Sequence, residues 1–311
     1  MNRGPVRYLL AAFFLLLCLS AGAQPLPGRY AVVPVNPRPG EPVCIGANPG
    51  SGARAAVLML GGRRLARAAF FPVPPEDDKQ GFMAAVLAIP STANPGRATI
   101  VVEGVGGIIG EIPLEITGRE FVSEVIELNP VLTGIRTDPS PQRTTESEHL
   151  WAVLNRTGNE AHVFGKFSPP VQSTRRTSDF GSRRVYQYSN GSTDISVHAG
   201  VDYGVPTGTA VSACGPGRVV IARNRIVTGN SVVIEHLPGV YSLYYHLDTI
   251  AVTEGALVST GTLLGNSGST GLATGPHLHW EIRVAGENAD PDAFIARPII
   301  DKAALLSTIS Q

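Results

Sequence analysis

The chain has 311 residues, with 25 Lys and Arg set against 25 Asp and Glu, so its formal charge is zero. That balance excludes bulk electrostatics as the means of recognising nucleic acid or an acidic surface, and leaves shape and site chemistry. The length suits two domains of ordinary size, and the three cysteines are too few to close a four-thiolate metal site.

At the N-terminus, Arg3 and Arg7 precede an apolar run from Tyr8 to Leu19, and Ala21-Gly22-Ala23 follows as a small-x-small cleavage pattern. Residues 1–23 therefore read as a secretory signal peptide. The apolar run is shorter than the ~20 residues of a spanning helix, which argues against a membrane anchor. Leu17 stands where lipidation of Cys18 would want a small residue. The mature chain is expected to be exported, to the periplasm, the cell envelope or the medium, without stable membrane insertion. Export would permit a disulfide between Cys44 and Cys214. Their places in two different segments favour two small buried hydrophobes instead.

Residues 28–117 alternate short apolar runs, such as Ala31-Val32-Val33, Ala55 to Leu60 and Ala98 to Val102, with Pro/Gly turns at Arg38-Pro39-Gly40, Pro49 to Gly52 and Asn94-Pro95-Gly96. This spacing predicts a small antiparallel β-sandwich, Ig-like in architecture. It holds no histidine, so it reads as a spacer, a binding module or a structural unit. Residues 118–163 read as a connector with a short helix. Thr145-x-x-Glu148 predicts a capping box opening a helix through Leu154, with Gly158 as its stop and Pro139-Ser140-Pro141 as exposed loop before it. His149 and His162 lie here without partners at ligand spacing and read as surface or packing residues.

Residues 164–296 carry most of the histidines. Arg218 to Ala222, Ser231 to Glu235 and Tyr241 to Tyr245 predict strands, separated by turns at Thr228-Gly229-Asn230 and Pro238-Gly239. No long periodic helix interrupts them, so a compact antiparallel sheet is expected rather than an α/β fold. Residues 297–311 read as a C-terminal tail. The whole is expected to be mainly β.

Within this half, His277-Leu278-His279 places two imidazoles on one face of a strand, because the side-chain period is two. Imidazole is a common zinc ligand. Upstream, His198-Ala199-Gly200-Val201-Asp202 puts a histidine and a carboxylate four residues apart, too far along a regular strand to share an ion. A bend at Gly200 would bring them together. Adding one imidazole of the downstream pair gives three protein ligands and leaves a fourth position open, as in catalytic zinc sites. His246, ending a predicted strand, supplies a further imidazole for a proton or an oxyanion. His236 reads as a packing or hydrogen-bonding residue.

His198-x-x-x-Asp202, Tyr245-His246-Leu247 and Gly275-Pro276-His277-Leu278-His279, in this order, resemble the M23 (LytM/lysostaphin-type) zinc metallopeptidases. The resemblance covers about Phe164 to Phe294 and includes Ser178-Asp179-Phe180-Gly181-Ser182-Arg183, Pro206-x-Gly208-Thr209 and Gly268-Ser269-Thr270-Gly271. It implies a C-terminal antiparallel β peptidase domain, one Zn2+ ion held by His198, Asp202 and His279, and a catalytic pair, His277 and His246. It departs from the family at Leu237, where glycine is frequent after the preceding histidine, and at Cys214. A tyrosine that assists the oxyanion in some relatives has only Tyr186 and Tyr188 as candidates. Val252 to Gly268 also resembles the hairpin of lipoyl carrier domains, but Ser259-Thr260 occupies the turn where a modifiable lysine would stand.

The resemblance and the export signal together imply a zinc endopeptidase acting on the stem peptides or cross-bridges of peptidoglycan. His277 is the expected proton acceptor and His246 the expected stabiliser of the tetrahedral intermediate, with the reverse assignment open. Two alternatives belong to other classes: a non-catalytic wall-binding activator of other hydrolases, and an adhesin-like protein whose sandwich carries the activity. The connector is a further candidate, as a segment lying across the groove.

Overall fold

The computed structural model describes residues 30–75, 80–156, 158 and 160–309. The expected signal peptide, with Cys18, lies outside the described residues. The N-terminal part is built from β1 (Tyr30–Val33), β2 (Pro42–Ala47), β3 (Ala55–Leu60), β4 (Arg63–Ala69), β5 (Phe71–Val73), β6 (Phe82–Ala88), β7 (Gly96–Gly104) and β8 (Gly107–Ile116). They form two four-stranded antiparallel sheets, ordered β1-β2-β6-β5 and β4-β3-β7-β8. Alternation along the strands explains the sandwich: Val43, Ile45 and Leu87 of one sheet share a buried cluster with Leu58, Ile100, Val102 and Leu114 of the other.

The first sheet is buried on its other side as well. Cys44, Phe71, Val73, Ala84 and Val86 belong to a second cluster that includes Ile282, Val284, Phe294 and Leu305 from the C-terminal part. Every residue of β2 is buried, as its nearly continuous apolar sequence requires of a strand covered on both faces. Cys44 and Cys214 are both free and buried in this cluster. Burial pushes each thiol up to about 12, so neither is a thiolate at neutral pH.

The segment after the sandwich holds more structure than one helix. It forms β9 (Ser123–Glu127), α1 (Pro130–Arg136) and α2 (Pro141–Leu154). The expected helix start at Thr145 is corrected: Ser140 is the N-cap, its hydroxyl accepting from the Arg143 amide, and Pro141 occupies the first turn. The Ser-Pro pair is thus a start signal and not exposed loop. Thr145 instead donates its hydroxyl to the Pro141 carbonyl inside the helix. The helix ends at Asn155, before Gly158. Its Val153 and Leu154 pack with Ile221, Val233, Tyr241 and Leu243.

The C-terminal part comprises β10 (Arg176–Ser178), β11 (Arg183–Gln187), β12 (Thr193–Val197), β13 (Gly200–Tyr203), β14 (Ala210–Ser212), β15 (Gly217–Arg225), β16 (Gly229–Leu237), β17 (Val240–Ile250), β18 (Leu257–Val258), β19 (Leu263–Ser267), β20 (Leu278–Val284) and β21 (Glu287–Ala289), then α3 (Pro291–Ala296) and α4 (Lys302–Ile309). Ten strands make an antiparallel sheet with the path β10-β13-β20-β17-β16-β15-β18, extended by β14, β19 and β21. The three expected strands are the cores of β15, β16 and β17. A separate small sheet has the order β12-β11-β9, with β9 parallel to β11. The segment expected as a tail folds back as α4 onto β1 and β2, so closely that a Cβ at Gly46 would lie 2.7 Å from the Ile309 Cδ1.

Candidate metal centre

Asp202 and His279 are direct cross-strand neighbours on β13 and β20, and Tyr245 of β17 is the neighbour of His279 on its other side. The register therefore aims Asp202 and His279 at one point. His198 reaches the same point from the break between β12 and β13. Gly200 serves this break differently from the expected bend: it opens β13 in regular pairing with Glu281. Any side chain there would run into the Trp280 carbonyl and the Glu281 Cα, so glycine permits close approach of the two strands.

The His198 Nε2, His279 Nδ1 and Asp202 Oδ1 form a tight triangle. The separations are 3.1 Å from His198 to Asp202, 3.0 Å from His198 to His279 and 2.8 Å from His279 to Asp202. Bonds of ~2.05 Å to a tetrahedral zinc would require ligand separations of ~3.3 Å. The triangle matches that edge to within about half an ångström. His198, Asp202 and His279 are also the one group of metal-competent side chains among the described residues whose ligand atoms converge.

The outer bonds of each ring decide which nitrogen faces inward. The His198 Nδ1 lies 2.8 Å from the Asp179 carbonyl, which can only accept, so Nδ1 carries the proton and Nε2 presents its lone pair. The His279 Nε2 lies 3.4 Å from the Glu281 carboxylate, leaving Nδ1 free inward. Two imidazole lone pairs and a carboxylate oxygen therefore converge, the donor set a divalent metal takes. The ring of His279 also stacks on Tyr245, with centroids 5.4 Å apart and planes at 6°.

Charge follows the same plan. Burial opposes ionisation of Asp202, yet the adjoining His198 and His279 rings hold its carboxyl well below the usual range. Burial depresses His198. Burial also works against a charged His279, but Asp202 and Glu281 together raise it to about 9, so this ring sheds a proton when a cation replaces it.

His246 and His277 stand beside the triangle. His246 sits where β17 passes from pairing with β20 to pairing with β19, and takes a left-handed φ of 61° at the changeover. Such a backbone is uncommon for a residue with a side chain and is held here by neighbours: its amide donates to the Thr228 carbonyl and its Nδ1–H to the Thr270 carbonyl, at 2.9 and 2.7 Å. His277 precedes β20, bridges Gly268, and donates Nδ1–H to the Gly275 carbonyl at 2.8 Å. Both rings keep Nε2 available. Their centroids are 4.8 Å apart, and the His277 Nε2 lies 3.8 Å from the Asp202 Oδ1. Burial and the neighbouring His277 and His279 lower His246 to about 3.

The expected site residues are thus brought together, in a cleft lined also by Arg184, Tyr186 and Leu272. Tyr186 lines the cleft, whereas Tyr188 bonds Arg136 and Asp194 outside it. His236 is fully buried away from the site, held by Pro216 and Ser242. His149 is exposed and His162 pairs with Glu160. Sequence reasoning missed Glu281, although its place two residues after His279 on the same strand face was a usable signal. The connector, expected as a segment lying across the groove, contributes Ile126, Leu128 and Arg136 to the cleft lining.

Residues 196–291, which contain all five of these histidine and aspartate positions, match the profile of Peptidase family M23. The segment that carries the site is thus similar to peptidase family M23. Among curated M23-like relatives, peptidoglycan DD-endopeptidase ShyA of Vibrio cholerae is 42% identical over 172 residues, 55% of this chain and 39% of that protein. DD-carboxypeptidase/endopeptidase Mpg of Neisseria meningitidis serogroup B is 38% identical over 125 residues, 39% of this chain and 27% of Mpg. The chain spans about two fifths or less of the length of these relatives. A crystal structure from Pseudomonas aeruginosa, provisionally assigned to peptidase M23, superposes with a TM-score of 0.57 at 23% identity, over 88% of this chain and 95% of that one. That likeness shows the shared fold.

Proposed function

We propose that this chain is a member of peptidase family M23 and an exported, zinc-dependent endopeptidase that cleaves peptide bonds of peptidoglycan stem peptides or cross-bridges. The observation that carries the proposal is the set of inward-facing acceptor atoms on His198, Asp202 and His279, with two more imidazoles beside it. The names of the relatives ShyA and Mpg support the substrate class. The leader-like N-terminus supports export, to the periplasm or cell envelope.

His198, Asp202 and His279 would hold the ion. Zinc so bound supplies a Lewis acid and lowers the pKa of water toward neutrality. The chain's own work is proton handling and orientation. The His277 Nε2 takes the proton of the attacking water and returns it to the departing amine, its Nδ1–H fixed on Gly275 throughout. His277 suits this role better than His246, because its side chain keeps 14% exposure while burial disfavours a charged His246. The His246 ring faces His277 across the site and is the imidazole assigned to stabilise the tetrahedral intermediate, for which its Nε2 must carry a proton separate from the one His277 moves. Tyr186 is the tyrosine placed to add a further hydrogen bond.

Purified wall sacculi incubated with the mature chain test the proposal, with and without a chelator and after zinc is restored. Zinc-restored release of peptide fragments, identified by mass spectrometry, is expected. Binding to wall without release under any metal condition would replace the enzyme with a wall-binding activator.

A further inference from the structure

The metal ligands are braced by residues outside the segment that matches the family. The Glu124 carboxylate, on β9, accepts the Ser178 hydroxyl, with both its oxygens at 2.8 Å. The same hydroxyl lies 3.1 Å from the His198 Nδ1, the nitrogen turned away from the metal position. Glu124 also pairs with the Arg184 Nε at 3.3 Å, while the Arg184 Nη2 holds the Asp202 Oδ2 at 2.7 Å. Two of the three proposed ligands are thus tied, each through one side chain, to a single carboxylate in the connector. Ser178 is 8% exposed and the Arg184 side chain 14%, so these bonds are largely shielded from water.

Strand geometry explains the placement. Glu124 and Arg184 are register partners in the parallel pair β9–β11, as are Ile126 and Tyr186, and this alternate set lines or braces the cleft. The intervening Val125 is 59% exposed on the outer face, as is Ile195 at 76%.

We infer that β9 is a working part of the metal centre and that Glu124 is its positioning residue. Glu124 fixes the His198 ring through Ser178, and it compensates the Arg184 guanidinium that grips Asp202. Charge makes the second role specific. Glu124, Arg184 and Asp202 together carry one net negative charge facing the cation position. With Glu124 neutral, Arg184 cancels Asp202, and a divalent cation meets an uncompensated guanidinium nearby. The inference rests on the metal-binding reading above.

Its test is zinc affinity of the full mature chain, measured by competition with a chromophoric chelator, together with the visible spectrum of the cobalt(II)-loaded protein. Removing such an outer partner typically weakens metal binding about 10- to 100-fold. Glu124→Ala is expected across that range and Glu124→Gln near its lower end, since the amide keeps an acceptor for Ser178 but loses the charge. Both should shift the cobalt bands. Val125→Thr, on the outward face of the same strand, should leave affinity and spectrum unchanged and so reports that the strand is in place. Should Glu124→Ala fail to fold, Glu124→Gln and Arg184→Lys carry the same comparison. Wild-type affinity within twofold and unaltered cobalt bands in the folded Glu124 variants would overturn the inference while leaving the metal site standing. A wild-type chain that binds neither ion would instead overturn the functional reading itself.

Discussion

Acid stability should depend in part on His236, which takes no part in the proposed chemistry. The ring is fully buried, donates Nδ1–H to the Pro216 carbonyl at 2.7 Å, and sits 2.7 Å from the Ser242 hydroxyl through Nε2 and 4.6 Å from the Phe167 ring centre. Burial lowers it from 6.5 to about 4. Above pH 6.5 both folded and unfolded chains keep the ring neutral, and its ionisation has no effect on stability. Between 6.5 and about 4 the unfolded chain takes up a proton that the native site refuses, so stability falls with pH; below about 4 the loss is complete. At ~1.4 kcal/mol per pH unit the full loss is about 3 kcal/mol, and about 2.5 kcal/mol of it has been incurred by pH 4.5. Urea unfolding of chelator-treated wild type and His236→Gln at pH 7.0 and 4.5, followed by fluorescence and circular dichroism, isolates the effect. His246 is also buried and depressed, but it is present in both proteins and cancels in the comparison. The stability gap between wild type and variant should close by about 2.5 kcal/mol on acidification. A gap that stays constant to within ~0.5 kcal/mol would refute the reasoning.

Replacing His279 by Ala should abolish zinc retention and wall cleavage together, whereas His277→Ala should keep the metal within a few-fold and lose about 10²- to 10⁴-fold in turnover. Equal zinc loss in both, measured after dialysis, would remove the division of labour between the two rings. Glu281→Gln should weaken zinc binding about 10- to 100-fold by releasing the His279 Nε2. It should also lower the His279 pKa, so that calorimetry in buffers of different ionisation enthalpy records fewer protons released on metal binding at pH 7. Gly200→Ala should destabilise the fold by about 1–3 kcal/mol, because the added methyl meets the backbone of β20; an unchanged melting temperature would disprove that contact.

The inner site was legible because its residues announce themselves in short spans. His277-x-His279 has strand spacing, and His198 and Asp202 are close enough in sequence that one chain break joins them. The braces around them were legible only in part. The Ser178-to-Arg183 segment was recognisable as a motif, but its work is carried by the Asp179 carbonyl and the Ser178 hydroxyl on the outer nitrogen of His198, and a backbone carbonyl has no sequence signature. Glu124 was invisible, since nothing local links it to residues more than fifty positions away; only the parallel pairing of β9 with β11 does so. The helix α2 shows the opposite failure. A strong local signal is present at Ser140-Pro141, but proline suits a loop as well as a first helical turn, and here it fills a first-turn position that needs no amide proton.

The strand β2, buried on both faces, has a mechanical consequence. Its sheet shares one core with the cleft-bearing sheet, and the seam is fastened by the Asp290 amide on the Gly40 carbonyl at 2.8 Å, the Arg119–Asp290 pair at 2.7 Å and the Arg183 guanidinium on the Ser91 carbonyl at 2.7 Å. Swinging the sandwich away would expose a large apolar area and strand these polar groups. The sandwich therefore behaves as a stiff handle and not as a tethered weight. Wherever its outer sheet comes to rest on a surface, the mouth of the cleft is held at one height and one angle above it.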